Sequence, residues 1–353
     1  MTEKRKQTLV NIRDIAKQAA VSPGTVSRVL NNDPTLSINE QTRERIHQIC
    51  KELNYVPRKY RGRNKGRCVG IISAISREIE SDDAYYRQIR EKTIQSLKAQ
   101  EYCVDFMIFL PYLAHNWERI KQVDCIVVIG FIKKSIHEQL YQLNPHLIIV
   151  DDHHCADHYS SVSVNLYQEM KNMLDYAASL GHENITFITG KNARLGIKNE
   201  TVSHELGERD RAYEEWMLTH NLSHFKQLFI GEGWYAQSGY EETGKLLSQN
   251  KPLPSLIIAG SDLLALGIIR RLAENKIAVP NDISICSFDD LEMAEFLTPS
   301  LTTLRIDIDQ MVYWVTHLCK KIMSEKEFMP ARIVLSGKFI LRESLKAISD
   351  DKR

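Results

Sequence analysis

Two stretches of the chain combine side chains that could do chemistry. The first is Ser22-Pro23-Gly24-Thr25-Val26-Ser27-Arg28-Val29-Leu30-Asn31. Ser22 is suited to cap a helix through its hydroxyl, and Pro23 to fill the first helical position, where its missing N–H leaves nothing unpaired. Val26, Val29 and Leu30 then share one face, so Gly24, Ser27, Arg28 and Asn31 fall on or beside the opposite, solvent-facing side. A guanidinium on such a face can pair in bidentate fashion with guanine, worth about 1–3 kcal/mol of discrimination. The second stretch, Asp151-Asp152-His153-His154-Cys155-Ala156-Asp157-His158, carries the donors of a metal site. Consecutive ligands rarely satisfy one tetrahedral ion, because structural sites draw on spaced pairs, so the run reads as a solvated loop and neither metal nor cofactor is expected. No G-x-S-x-G elbow, P-loop or H-E-x-x-H occurs, and motif-based enzyme readings find no support.

The elements that must position the first stretch are short helices. Ile12, Ile15, Ala16 and Ala19 recur at helical spacing and predict a helix that Val21 closes into a turn. A second helix runs from Pro23 to Leu30, and Asn31-Asn32-Asp33-Pro34 breaks it. Ser37-Ile38-Asn39-Glu40 has the form of a capping box, followed by Ile46, Ile49, Cys50 and Leu53 on one face of a third helix. This is a helix-turn-helix unit, expected over residues 1–57, whose second helix enters the major groove while the first lies over the backbone. Residues 58–67 then form a basic, glycine-containing hinge linker with no apolar period. Residues 1–67 hold 15 Lys or Arg against 6 Asp or Glu, a surplus of +9, and the remainder sums to −8. A basic head on a mildly acidic body points to a polyanion as the partner of the head alone.

From residue 68 to 345 strands alternate with helices. β-rich runs at Val69–Ser73, Val104–Phe109, Cys125–Ile129 and Leu147–Val150 form one set, and Ile185–Thr189, Leu228–Ile230, Leu256–Ala259 and Ile283–Phe288 a second. Amphipathic stretches separate them, which predicts an α/β fold of two lobes, each a parallel sheet covered on both faces. A strand at Leu301–Ile306, a helix around Gln310–Met323 and a last pair near Ile333–Leu341 would carry the chain back across both lobes. Residues 346–353 read as a polar tail without heptads, so no coiled coil joining dimers is expected. The chain has 353 residues, 43% apolar and 26% charged, with no run near the roughly 20 residues that span a bilayer. The seven cysteines include no CxxC pair and read as reduced thiols. With no secretory signal at its start, the protein is expected in the cytoplasm.

Ile12-Arg13-Asp14-Ile15-Ala16-Lys17, Ala20-Val21-Ser22, Thr25-Val26-Ser27-Arg28-Val29-Leu30-Asn31 and Leu53-Asn54-Tyr55-Val56-Pro57 resemble the lactose/galactose repressor (LacI/GalR) family. The resemblance covers nearly the whole chain. It continues through Ala259-Gly260-Ser261-Asp262-Leu263-Leu264-Ala265-Leu266-Gly267, Val279-Pro280-Asn281-Asp282-Ile283-Ser284, Phe288-Asp289-Asp290 and Pro299-Ser300-Leu301-Thr302-Thr303-Leu304. Asn32-Asp33-Pro34-Thr35-Leu36 and Asp83-Ala84-Tyr85-Tyr86-Arg87-Gln88-Ile89-Arg90 are most similar to family members that repress β-galactoside utilisation. The resemblance implies a homodimer on two-fold-related double-stranded operator DNA, and a body like a periplasmic sugar-binding protein. Contacts to DNA would come from Ile12, Arg13, Ser22, Pro23, Gly24, Thr25, Ser27, Arg28 and Asn31, and from Tyr55, Arg58, Tyr60 and Arg61 toward and within the linker. Pro23 and Gly24 stand where many relatives carry long base readers, which shifts specificity to Thr25, Ser27, Arg28 and Asn31 or to DNA shape. The linker also lacks the leucine that relatives wedge into the minor groove, leaving Tyr60 as its large side chain.

For the effector, the resemblance implies the cleft between lobes. A sugar presents paired hydroxyls and an apolar ring face, which call for carboxylates or guanidinium groups and an aromatic plane. Matching positions are Asp151, Arg209, Trp234, expected to stack on the ring, and Asp289. Asp83, Tyr85 and Tyr86 would complete the first-lobe wall. Ser261, followed by Asp262, stands where sugar-binding relatives often carry Asn, and Ile306 at another commonly polar position. The function so implied is a sugar-responsive repressor of galactoside utilisation and not an enzyme; a purine or phosphorylated sugar as effector, and activation in place of repression, remain the alternatives. A catabolic enzyme with an appended head would need a nucleophile or base constellation, and a solute-binding transport protein an export signal and no basic head.

Overall fold

The computed structural model describes residues 11–30, 36–52, 68–75, 84–152, 155–197, 200–204, 206–249, 251–325 and 327–348. The chain divides into two compact units, residues 1–66 and 67–353, each of which is described by itself. The first contains α1 (Ile12–Gln18), α2 (Pro23–Leu30) and α3 (Glu40–Glu52). Asn11 and Asp14 form a reciprocal capping box that starts α1. Ser22 starts α2 as expected, its Oγ accepting from Thr25 N at 3.0 Å. The cap of α3 is a correction: Asn39, not Ser37, accepts from Thr42 N at 2.8 Å. Ile15, Ala16, Ala19, Val26, Val29, Ile46 and Ile49 close a small core between the helices.

The second unit runs β1 (Cys68–Ser73), α4 (Ala84–Ala99), β2 (Cys103–Phe109), α5 (Trp117–Ile120), β3 (Cys125–Ile129), α6 (Lys134–Leu143), β4 (Leu147–Val150), β5 (Ser160–Val164) and α7 (Leu166–Ser179). It continues with β6 (Ile185–Gly190), β7 (Ala193–Leu195), β8 (Thr201–His204), α8 (Glu208–Thr219), β9 (Gln227–Gly231), α9 (Ala236–Leu247), β10 (Leu256–Ala259) and α10 (Asp262–Glu274). The last elements are β11 (Ser284–Asp289), α11 (Met293–Phe296), β12 (Thr302–Arg305), α12 (Ile308–Ser324), β13 (Arg332–Leu335) and β14 (Lys338–Ile340).

These strands build two sheets. The first has the order β13-β5-β4-β3-β1-β2, all parallel. The second has the order β14-β12-β11-β10-β6-β9, parallel except for its antiparallel edge strand β14. Strands such as β3 and β10 are apolar along their whole length and buried throughout, as a sheet with helices on both faces requires. Each lobe accordingly has an apolar cluster on either side of its sheet. The closing strands divide between the lobes, β13 on the first sheet and β14 on the second, so the chain crosses between them after β5, after β12 and after β13.

Two elements depart from the sequence reading. β5, Ser-Ser-Val-Ser-Val, is buried although three of its five residues are serines. The antiparallel hairpin β7–β8 is inserted between β6 and α8, where no strand pattern announces it. The tail boundary is also corrected: Lys346 N donates to Ser284 Oγ at 3.2 Å and Ile348 N to Leu180 O at 2.9 Å, so residues 346–348 are tied to the second lobe. No described helix is long and apolar enough to cross a membrane.

Candidate functional site: a cleft receptor and a helix-turn-helix face

Parallel strands of a doubly covered sheet leave their carboxyl ends free of helices, and ligands collect there. In the second unit the residues just beyond β1, β3, β4, β6, β9, β10, β11 and β12 surround one cavity of about 550 Å³. Ile75, Phe131, Asp151, Lys191, Trp234, Ser261, Asp289 and Ile306 all lie on its wall. That volume suits a small organic molecule.

The first-lobe wall centres on Asp151, buried at the end of β4 in a left-handed backbone conformation with φ 64°. Tyr86 Oη donates to its Oδ2 at 2.9 Å and Tyr85 Oη to its Oδ1 at 3.3 Å. Burial pushes the Asp151 carboxyl up to about 6, opposed by the Tyr86 hydroxyl, the Arg209 charge and the Tyr85 hydroxyl. The same burial, with the Asp151 charge adding to it, holds the Tyr85 hydroxyl well above its ordinary range and therefore protonated as a donor.

On the second-lobe wall, Arg209 Nη1 donates to Gly260 O at 2.5 Å. Its guanidinium carbon lies 4.6 Å from the Trp234 ring centroid and 5.1 Å from that of Phe288. The indole is fixed in turn, with Nε1 donating to Lys191 O at 3.0 Å. A Cβ at Gly190 or Gly260 would press into it. Arg209 lies over the Trp234 ring, which also forms part of the cavity wall, and the indole braces that cation.

The placement of Asp262 is a correction. It is fully buried, does not line the cavity, and accepts from Ser287 Oγ, from Thr303 Oγ1 at 2.8 Å and from Leu291 N at 2.7 Å. Burial pushes its carboxyl up to about 6 against those three donors. Its work is to hold the loop that follows β11, at Leu291, next to the strand's last residue, Asp289, which reaches the cavity with φ 108°. Ser261 does line the cavity, but its Oγ also caps α10 by accepting from Leu264 N at 3.3 Å. Sequence reasoning missed Phe131, Lys191, Arg194 and Glu232. Phe131 alone carried a signal, standing two residues beyond a buried strand end.

In the first unit, Arg13, Ser22, Pro23, Gly24 and Arg28 are exposed, and Thr25 and Ser27 are partly so. Ile12 is half-buried and packs on the small core, which limits the DNA contact expected of it. Asn31, Tyr55, Arg58, Tyr60, Arg61 and Asp83 lie outside the described residues. Among the described residues no group of three or more His, Cys, Asp or Glu could hold a metal ion.

A helix-turn-helix unit joined in one chain to a two-lobed body with a cavity at its strand ends defines a DNA-binding regulator that carries its own ligand receptor. Residues 11–58 match the bacterial regulatory proteins of the lacI family, and residues 174–345 a periplasmic binding protein-like domain. The HTH-type transcriptional regulator GalR of Streptococcus thermophilus is 31% identical over 343 residues, covering 96% of this chain and all of that one. GanR of Bacillus subtilis, also an HTH-type transcriptional regulator, is 27% identical over 340 residues, again 96% of this chain and all of the relative. Among solved structures, the lac repressor dimer bound to operator and an anti-inducer shares the fold with a TM-score of 0.64 at 18% identity, covering 96% of this chain and 100% of that one. The chain belongs to the lacI family of bacterial regulatory proteins, and it is a DNA-binding transcriptional regulator.

Proposed function

We propose that the protein binds operator DNA as a homodimer, represses genes of sugar utilisation, and is released by a galactoside held in the cavity. In this reading residues 1–57 read the DNA, 58–67 form the hinge, and the body binds effector and dimerises. The relatives' names support the assignment, GalR and GanR together with the repressor MelR of Bacillus subtilis. Binding alone is the activity, with no turnover of the ligand, and it takes place in the cytoplasm where the chromosome is.

The observation that carries the effector class is the Asp151 carboxylate with two tyrosine hydroxyls at its side in a cavity whose cations are already engaged. Lys191 pairs with Glu232 at 2.5 Å, Arg194 with Asp152 at 2.6 Å, and Arg209 is spent on Gly260 O and two aromatic rings. A phosphorylated ligand would meet four acidic residues in that wall, Asp151, Glu208, Glu232 and Asp289, against these three cations. A neutral sugar fits better, because its hydroxyls donate to Asp151 and Asp289 while Phe131, Leu291 and Ile306 cover its apolar faces. Arg28, Ser27 and Thr25 of α2 are the base and phosphate contacts, with Arg13 and Ser22 on the backbone.

The test is a titration of the neighbouring intergenic DNA with the full chain, adding galactose, lactose and allolactose in turn. Release by one of them is expected. Release by none removes the effector assignment and leaves operator binding standing, whereas release by a sugar phosphate would overturn the charge argument.

A further inference from the structure

The β7–β8 hairpin belongs to the second lobe by chain order, since it leaves β6 and returns into α8. Its contacts lead to the first. Leu195 N donates to Phe131 O at 3.2 Å and Lys133 N to Leu195 O at 3.0 Å, so β7 forms a parallel bridge with the segment that follows β3. Beside that bridge Arg194 reaches Asp152, just beyond β4. Its Nη1 and Nη2 donate to the two carboxylate oxygens at 2.6 and 3.0 Å, and Nη1 also donates to Ile132 O at 3.0 Å. The Arg194 side chain is 5% exposed and that of Asp152 is fully buried.

A buried bidentate pair is unlike a surface ion pair. Separating it breaks three charge-assisted hydrogen bonds of one guanidinium at once, where an exposed pair loses a single screened contact. A motion that parts the lobes on this side must either break those bonds or bend the hairpin's stems, at Lys191–Asn192 and Leu206–Gly207. Ala193, Arg194 and Leu195 also form part of the cavity wall, and Asp152 follows the Asp151 whose carboxylate faces that cavity.

We propose that the β7–β8 hairpin is a clasp between the lobes, pinned by Arg194 and Asp152, which travels with the first lobe and fixes one wall of the effector cavity. The inference does not depend on which ligand the cavity takes. It adds a non-covalent fastening to the three chain crossings and makes Arg194 a positioning residue contributed by one lobe to the other.

Hydrogen exchange on the full chain without ligand tests this, read at the amides of Leu195 and Lys133. Arg194→Met is expected to speed both by at least about tenfold, with the β6 and β10 amides unchanged, and Arg194→Lys to restore part of the protection through a single hydrogen bond. Asp152→Asn, which keeps the shape and removes the charge, is expected to act in the same direction and serves where Arg194→Met does not fold. Unchanged exchange at Leu195 and Lys133 in either folded variant would overturn the clasp. So would a loss of protection spread evenly over β6 and β10, because the pair would then support only the fold of its own lobe.

Discussion

Asp151 binds its proton more tightly in the folded protein than in the unfolded chain, since burial pushes its carboxyl from 3.8 to about 6. The stabilisation this gives is complete below the ordinary carboxylate range and is lost as pH rises through about 6, an effect on the order of 3 kcal/mol. Near neutral pH the ligand-free protein thus carries a destabilising buried charge, which sugar hydroxyls would satisfy. Asp151→Asn should raise the thermal unfolding temperature at about pH 7.5, keep roughly half of that advantage near pH 5 and lose it below the ordinary carboxylate range, where folded and unfolded wild type are both protonated. The same variant should weaken the effector response by roughly 10- to 100-fold, the scale of lost hydrogen bonds to a charged group. In the wild type the response should fade as pH drops through about 6; a flat response over that range would separate Asp151 from the effector. Arg28 can be tested in parallel. Arg28→Met should relax the preference for one guanine by about 1–3 kcal/mol in competition binding, while Arg28→Lys keeps the salt dependence and loses the bidentate discrimination.

At the scale of elements, two glycines in helices predict opposite outcomes. A Cβ at Gly24 in α2 would meet only Ser22 Oγ at an ordinary 3.5 Å, so Gly24→Ala should stabilise the unit of residues 1–66 by about 0.5–1 kcal/mol in thermal unfolding. A Cβ at Gly267 in α10 would collide with the backbone of α9 at Ala236 and Tyr240, so Gly267→Ala should destabilise the second lobe by about 1–3 kcal/mol. The same local logic explains what could be read from the chain beforehand. Ser22-Pro23 marks the start of α2 through hydrogen bonding within one turn, and the all-apolar β3 and β10 announce buried parallel strands. The hairpin β7–β8 was illegible because the carbonyl of Phe131 and the carboxylate of Asp152 hold it in place, 64 and 42 residues away from Leu195 and Arg194. Asp262 was misplaced for a related reason. Its position in the chain suits either the cavity or the polar cluster behind it, and Ser287 and Thr303 decide between them from other strands. Trp234 and Arg209 were both found, but nothing in their spacing says that one covers the other.

For the whole molecule, a basic head of +9 on a body of −8 means that the head supplies the attraction to DNA and the body opposes it. Operator binding should therefore weaken steeply as salt is raised, through release of the counterions that the head displaces. Effector and operator each favour one arrangement of the same molecule, so their binding free energies are coupled, typically by 1–3 kcal/mol or about 5- to 150-fold. That coupling must be the same from either side. The factor by which saturating effector weakens operator binding should equal the product of the factors by which operator weakens effector binding at the two cavities of the dimer, measured on the full chain at one salt concentration. A factor equal to that of one cavity alone would mean that only one of the dimer's two cavities answers to DNA, because linkage fixes the total whatever path carries the change.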